Sequence, residues 1–151
     1  MSMRMDITYG YGFDPSKVKA DWLVSFIKKH KEAFVKGEYE EGLFNEIISL
    51  TENNYDNVFD ILEEYEGNHS YTCTPYAAIS EIITSETDVR FECDCGEYDT
   101  AIMFTETYPW HLTEKEREIT PEAIDTMLIP YMKELGLEEV EIGNCRVEHW
   151  G

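Results

Sequence analysis

Residues 88–105, DVRFECDCGEYDTAIMFT, have the pattern of two β-strands joined by a turn. Apolar side chains alternate with charged ones as far as Cys95, which is the two-residue period of a strand with one buried face. Gly96 then marks a turn, and the run DTAIMF follows it. Two such runs around a short turn predict a β-hairpin with strands at 88–95 and 97–105.

Two more strands are predicted near the ends of the chain. Residues 3–13 alternate apolar and polar side chains before a glycine-rich stretch, which is typical of a half-buried strand. Residues 140–150 predict a last strand with an irregularity at Gly143–Asn144. The hairpin therefore has partners from both termini with which to form a sheet.

The remaining apolar residues recur with the period of helices. Asp14–Pro15, Thr74–Pro75 and Thr120–Pro121 each put a capping side chain before a proline, the usual start of a helix. The predicted helices are 14–36, 38–51, 55–66, one that begins at Thr74, and 120–135, the last with Gly136 as its cap and a kink or break at Pro130. Their expected inward positions include Trp22, Leu50 and Tyr55.

This order of elements predicts an α+β fold in a single domain, residues 1–151. An antiparallel sheet of three to four strands, with about five helices packed mainly on one side, buries the apolar faces of both kinds of element. A length of 151 residues and a hydrophobic fraction of 42% suit one core. The 13% of aromatic residues separates the chain from disordered acidic tails.

The charge of the chain is extreme: 32 acidic residues face 12 Lys and Arg, for a net charge of −20. The excess lies in residues 37–151, whereas residues 1–36 carry seven basic and four acidic side chains. Self-repulsion of this size lowers the stability of the fold, so we expect the charge to serve a purpose, either solubility or recognition of a basic surface. It also disfavours nucleic acids and nucleotides as direct ligands.

The sequence has no apolar run long enough to span a membrane and no signal-peptide pattern. We therefore expect a protein of the bacterial host cytoplasm, whose cysteines stay reduced. No Gly-x-Ser-x-Gly, HExxH or phosphate-binding glycine loop occurs. We expect no catalytic residues, no cofactor and no enzymatic activity.

Cys93 and Cys95 are the one local pattern that metal chemistry could use. In a strand both sulfurs point to the same face, and His69–Cys73 and Cys145–His149 could add ligands. Zinc sites usually need repeated C-x₂-C pairs, however, and cysteine is a common core residue. Core packing is the favoured interpretation, with a small metal-binding module as an open alternative.

Two rows of carboxylates are the candidate site. The first shares one face of the predicted third helix and comprises Asp56, Asp60, Glu63 and Glu64. The second projects from the polar face and turn of the hairpin and comprises Glu92, Asp94, Glu97 and Asp99. Such rows resemble the phosphates of a nucleic acid, so they could occupy a Lys/Arg groove made for DNA or RNA.

In size, charge and stretches such as YDNVFDILEEYE (55–66) and VRFECDCGEYD (89–99), the chain resembles small acidic proteins of bacteriophages and mobile elements, among them anti-CRISPR proteins and other nucleic-acid mimics. The resemblance implies a non-enzymatic inhibitor that binds the basic groove of a nucleic-acid-processing enzyme, such as a CRISPR effector. The alternative is an accessory or oligomerising protein of a mobile element, for example a homodimer. In that case the charge serves solubility, and the aromatic loop Tyr108–His111 forms the interface.

Overall fold

The computed structural model describes residues 5–36, 39–69, 74–96, 99–105 and 111–150, with the side chains of 67–69 and 150 left out. In chain order the elements are β1 (Met5–Phe13), α1 (Ala20–Lys29), α2 (Lys31–Lys36), α3 (Glu41–Leu50), α4 (Asn57–His69), α5 (Ala77–Thr87), β2 (Glu92–Cys95), β3 (Thr100–Thr105), α6 (Glu114–Arg117), α7 (Pro121–Glu134) and β4 (Gly143–Trp150). The described part contains no helix that is both long and apolar enough to cross a membrane.

The four strands form one antiparallel sheet in the order β2-β3-β1-β4. The hairpin of β2 and β3 pairs Cys93 with Ile102, and β1 joins them by pairing Phe13 with the same Ile102. β4 covers the other edge of β1. The predicted α+β class and the antiparallel sheet with a helical layer are thus confirmed.

The inner face of the sheet and the helices share the main core. Phe13 and Ile102 from the sheet belong to the same buried cluster as Leu23, Val58 and Leu128 from the helices. Helix α7 begins as the sequence predicts, because the Thr120 hydroxyl accepts a hydrogen bond from the backbone N–H of Ala123 at 3.2 Å. The helices therefore form a layer on the inner face of the sheet, and α4 contributes Val58 and Leu62 to the core that this layer shares with the sheet.

The outer face of the sheet carries a second, smaller cluster made by Ala101, Met103 and Val147. This cluster is enclosed because the sheet curls until its two edge strands meet. In a flat sheet the first and fourth strands lie about 14 Å apart. Here Asp94 of β2 hydrogen-bonds His149 of β4 at 2.9 Å, and Gly96 packs against the backbone of β4 at Glu148.

Several predicted boundaries were wrong, and the first concerns the long helix over 14–36. Asp14 instead accepts a hydrogen bond from the backbone N–H of Ser16 at 2.8 Å, and this local turn competes with a helix start. The helix begins at Ala20 and is interrupted at His30, where α1 ends before α2 begins. Trp22 is also 44% exposed, against the predicted inward position.

The hairpin strand begins at Glu92 rather than at residue 88 because side chains take its first backbone donors. Phe91 N–H donates to the Thr84 hydroxyl at 2.9 Å, and Arg90 N–H donates to Glu116 Oε2 at 3.1 Å. Those N–H groups are satisfied outside the sheet and cannot extend the ladder. Glu116 itself belongs to α6, which lies where a loop was predicted.

Three other helix predictions also need correction. Helix α4 continues past Gly67–Asn68 to His69, and α5 begins at Ala77, after a turn in which Thr74 Oγ1 accepts the N–H of Tyr76. For α7 a kink or a break was predicted at Pro130, and the break is wrong, because the helix continues from Pro121 to Glu134. Pro130 and Thr126, four residues earlier, are both exposed, so water can hydrate the carbonyl that lacks a partner.

Candidate binding surface

The outward face of α4, together with Asp56 directly before its first residue, carries the first row of carboxylates. Val58 and Leu62 are fully buried on the other side of the helix and fix its rotation. At about 100° per residue, positions 56, 60, 63 and 64 fall within an arc of about 100° opposite that buried stripe. All four side chains are exposed, as predicted, and in the described part of the chain none of them forms a salt bridge: Asp56, Asp60, Glu63 and Glu64.

A fifth acidic residue of α4, Glu66, shows the opposite behaviour. It is 4% exposed and accepts a short hydrogen bond from the Tyr39 hydroxyl, so it belongs to the interior. The Tyr39 ring in turn stacks on Phe34 at a centroid distance of 4.7 Å. Helix α4 thus divides its acids between one that helps to hold the core and three that face solvent, with Asp56 exposed just before the helix.

The second row, on the hairpin, is tied into the fold. Glu92 lies 3.5 Å from Arg90 Nε and accepts a hydrogen bond from Thr105, while Asp94 contacts His149 across the curled sheet. Asp99 is exposed, and its carbonyl closes the turn by accepting the N–H of Gly96 at 2.8 Å. Glu97 lies outside the described residues. The structure therefore gives two of these acids structural partners.

The two rows also lie on different sides of the molecule. Glu92 pairs in register with Met103 and Asp94 with Ala101, which places both acids on the outer face of the sheet. Helix α4 belongs to the layer on the inner face. One flat partner surface cannot meet both rows together, so the face of α4 stands as the candidate surface.

The cysteines occupy three different environments. Cys93 packs against the main core, and burial raises the pKa of its thiol to about 12. Cys95 is exposed at the end of β2, against the prediction that both sulfurs lie on an apolar face. Cys145 packs against the outer cluster, while Cys73 and the side chain of His69 lie outside the description. Among the described residues, no group of three or more His, Cys, Asp or Glu could hold a metal ion.

His30 forms an ionic cluster that no sequence pattern predicts. Its Nδ1 contacts Glu86 at 2.8 Å and its Nε2 contacts Glu134 at 2.5 Å, while Lys29 reaches the same Glu134 at 2.7 Å. Burial pushes the pKa of Glu134 upward, but the hydrogen bonds from His30 and Lys29 outweigh it and lower that pKa. Residues more than 50 positions apart meet here, so no local spacing signals the cluster.

A groove with two exposed aromatic rings lies beside this cluster. Trp22 of α1 and Tyr55, just before α4, are 44% and 49% exposed and line a cavity of about 430 Å³. Phe26 forms its apolar floor. The indole of Trp22 rests against Gly136, whose φ of +71° lets the chain turn closely under the ring.

The aromatic loop proposed as an interface cannot be placed, because Tyr108, Pro109 and Trp110 lie outside the described residues. His111 is described and is exposed.

In comparisons with family models, curated proteins and solved structures, nothing matches this chain. What the surface can bind must therefore be argued from its own geometry. Its exposed carboxylates can attract cationic groups over a Debye length of about 10 Å at moderate salt.

Proposed function

We propose that this protein is a non-enzymatic inhibitor that binds the basic nucleic-acid groove of a host defence nuclease through the exposed face of α4. The observation that carries the proposal is the grouping of four exposed carboxylates along one side of the molecule, from Asp56 just before α4 to Asp60, Glu63 and Glu64 within it. In the described part of the chain none of the four has a salt-bridge partner, so no ion pair accounts for the row. Such a nuclease would be met in the bacterial cytoplasm.

The spacing of the four charges supports mimicry of a nucleic-acid backbone. At a rise of 1.5 Å per residue, residues 56 to 64 span about 12 Å of helix axis. Four charges over that length amount to one per 3–4 Å, close to the one per 3.4 Å of a single DNA strand. A groove built to contact successive phosphates would therefore find several carboxylates at a comparable density.

The burial of α4 supports the proposal as well. Because Val58 and Leu62 anchor the helix in the main core, the carboxylates stand on a fixed element rather than on a flexible tail. A preorganised row of charges loses less conformational entropy on binding than a disordered acidic segment. The net charge of −20 would also steer a basic partner toward the molecule and make the association rate sensitive to salt.

The test compares two charge-reversed variants of the full chain with the same net charge. In the first, lysine replaces the four acids of the α4 face: Asp56, Asp60, Glu63 and Glu64. In the second, lysine replaces four exposed acids elsewhere: Glu118, Glu138, Glu139 and Glu141. Each variant is immobilised, exposed to a bacterial lysate at low salt, washed with rising salt and then challenged with duplex DNA.

The proposal predicts that the wild-type chain and the second variant retain a basic nucleic-acid enzyme that DNA displaces, and that the first variant does not. Inhibition is then measured as the loss of that enzyme's nucleic-acid binding. Equal retention by both variants, or retention that DNA does not affect, would contradict the proposal. Circular dichroism and a thermal melt confirm that each variant is folded.

A further inference from the structure

The groove between α1 and the start of α4 has the form of a receptor for a flat cationic side chain. Trp22 and Tyr55, which are 44% and 49% exposed, line it, and the buried Phe26 lines it as well. Large aromatic rings left this exposed are typical anchors of protein interfaces. A cavity of about 430 Å³ is large enough to admit one long side chain and part of its backbone.

The charges around the groove favour a positive guest. Asp21 lies on its rim and is exposed, and Asp56 follows Tyr55 directly in the chain. The groove does contain Lys29, but that ammonium group is paired with Glu134 at 2.7 Å. A positively charged guest would thus meet the exposed carboxylate of Asp21 on the rim and a lysine that is already paired with Glu134.

From these rings and charges we infer that the groove binds an arginine side chain of the basic partner, an inference that rests on the proposed function. The planar guanidinium group stacks on aromatic faces and at the same time donates hydrogen bonds to carboxylates in its plane. A lysine ammonium group is a compact, strongly hydrated charge that gains less from such rings. The groove would therefore distinguish arginine from lysine, whereas the face of α4 would respond to charge alone.

The direct probe is a pair of fluorescently labelled peptides, oligo-arginine and oligo-lysine of equal length, titrated against the full chain by anisotropy. The wild-type chain should bind oligo-arginine more tightly. In the Trp22→Ala, Tyr55→Ala double variant, affinity for oligo-arginine should fall about five- to thirtyfold, the effect of two exposed cation–π contacts. Its affinity for oligo-lysine should change by less than about twofold.

Two further variants separate this effect from a general loss of surface or of folding. Tyr9→Ala removes a ring that is 57% exposed but lines a different hollow on the sheet, and it should leave the arginine preference intact. Tyr55→Phe keeps the aromatic face and should bind as the wild-type chain does, whereas Tyr55→Ala alone should lose part of the preference. Tyr55→Ala is informative even if removing Trp22, which packs on Gly136, unfolds the chain.

The outcomes for the groove and for α4 are distinguishable. The groove inference is overturned if Tyr55→Ala and the double variant keep the full arginine preference, or if the wild-type chain shows no such preference. In that case charge reversal on α4 can still weaken the binding of both peptides equally, and this result would support the proposed function. If charge reversal on α4 changes neither affinity, the proposed function fails, whatever the aromatic variants do.

Discussion

Replacing Gly96 with alanine should open the curled sheet. A Cβ at this position would lie inside van der Waals contact of the Glu148 carbonyl oxygen and 2.9 Å from Val147 Cγ1. Carbon atoms in contact prefer about 3.5–4.0 Å, so the turn must move away from β4 by the better part of an ångström. Backbone lies on one side of this overlap, so no side-chain rotation can relieve it.

The expected cost combines two effects. Overpacking of this kind costs about 1–3 kcal/mol, and Val147 belongs to the fully buried outer cluster. Displacing the turn also weakens the partly exposed Asp94–His149 contact, which contributes up to about 1 kcal/mol. We expect a total loss of about 1–4 kcal/mol in the free energy of unfolding, or a fall of roughly 2–16 °C in Tm for a domain of this length.

The measurement is urea and thermal unfolding followed by circular dichroism, with Gly143→Ala as the matched control. Gly143 lies at the start of β4, where an added Cβ meets nothing within 4 Å, so alanine should be tolerated there. The two variants should differ by at least about 1 kcal/mol. If they unfold within about 0.5 kcal/mol of each other, the edge strands do not meet as described and the reasoning from the curl fails.

Three further predictions concern single side chains. Glu116 is buried, and its carboxylate accepts hydrogen bonds from the backbone N–H groups of Thr113 and Arg90. Burial alone would raise the pKa of Glu116, but these hydrogen bonds outweigh burial and lower it. The ionised carboxylate therefore stabilises the fold fully above a pH of about 4.3, and this stabilisation is lost as the pH falls through the folded-state pKa. Glu116→Gln should therefore cost about 1–2 kcal/mol at neutral pH and flatten the acid limb of a stability–pH curve; an unchanged limb would contradict this. Iodoacetamide at mildly alkaline pH should modify exposed Cys95 and spare Cys93, as read by peptide mass mapping, and equal labelling would place Cys93 outside the core. Gly42→Ala, in open space in the first turn of α3, should raise the free energy of unfolding by about 0.5–1 kcal/mol in urea titrations, and a loss would indicate an unseen contact.

The elements that could be predicted from sequence are those whose signals are local. The hairpin around Gly96 follows from alternation and a turn residue, and the start of α7 follows from Thr120–Pro121. The same cap-then-proline pattern failed at Asp14, because that side chain is satisfied by a turn of its own. A capping residue specifies a local hydrogen bond, and it does not decide whether a helix or a turn supplies the donor.

The features that escaped prediction depend on contacts between distant residues. The division of the first long helix at His30 coincides with its bonds to Glu86 and Glu134, and the late start of β2 depends on Thr84 and Glu116. Periodicity also assigned Trp22 and Tyr55 to the interior. Hydrophobic spacing cannot distinguish a ring that packs on the core from one that lines an open groove.

The exposed face of α4 was predictable because it is the complement of a buried stripe on the same helix. Sequence could not tell that the hairpin acids are different, since Asp94 finds its partner 55 residues away. That difference makes the two rows unequal as evidence for a binding surface. The presence of an acid that has a basic partner is explained by folding, whereas the presence of an acid without one must be explained by solubility or binding.

Glu63 and Glu64 offer a test of whether the face of α4 serves folding or recognition. Both lie beyond the first turn, where the helix dipole no longer favours a carboxylate, and each repels Asp60 at a spacing of three or four residues. Such like-charge pairs cost about 0.2–0.5 kcal/mol each, so Glu63→Gln with Glu64→Gln should raise the free energy of unfolding by up to about 1 kcal/mol. If recognition is the reason for these charges, the more stable variant should also bind oligo-lysine more weakly, with a smaller dependence on salt. A variant that is less stable, and binds as tightly as the wild-type chain, would instead assign the two carboxylates to the fold and remove the main support for the proposed function.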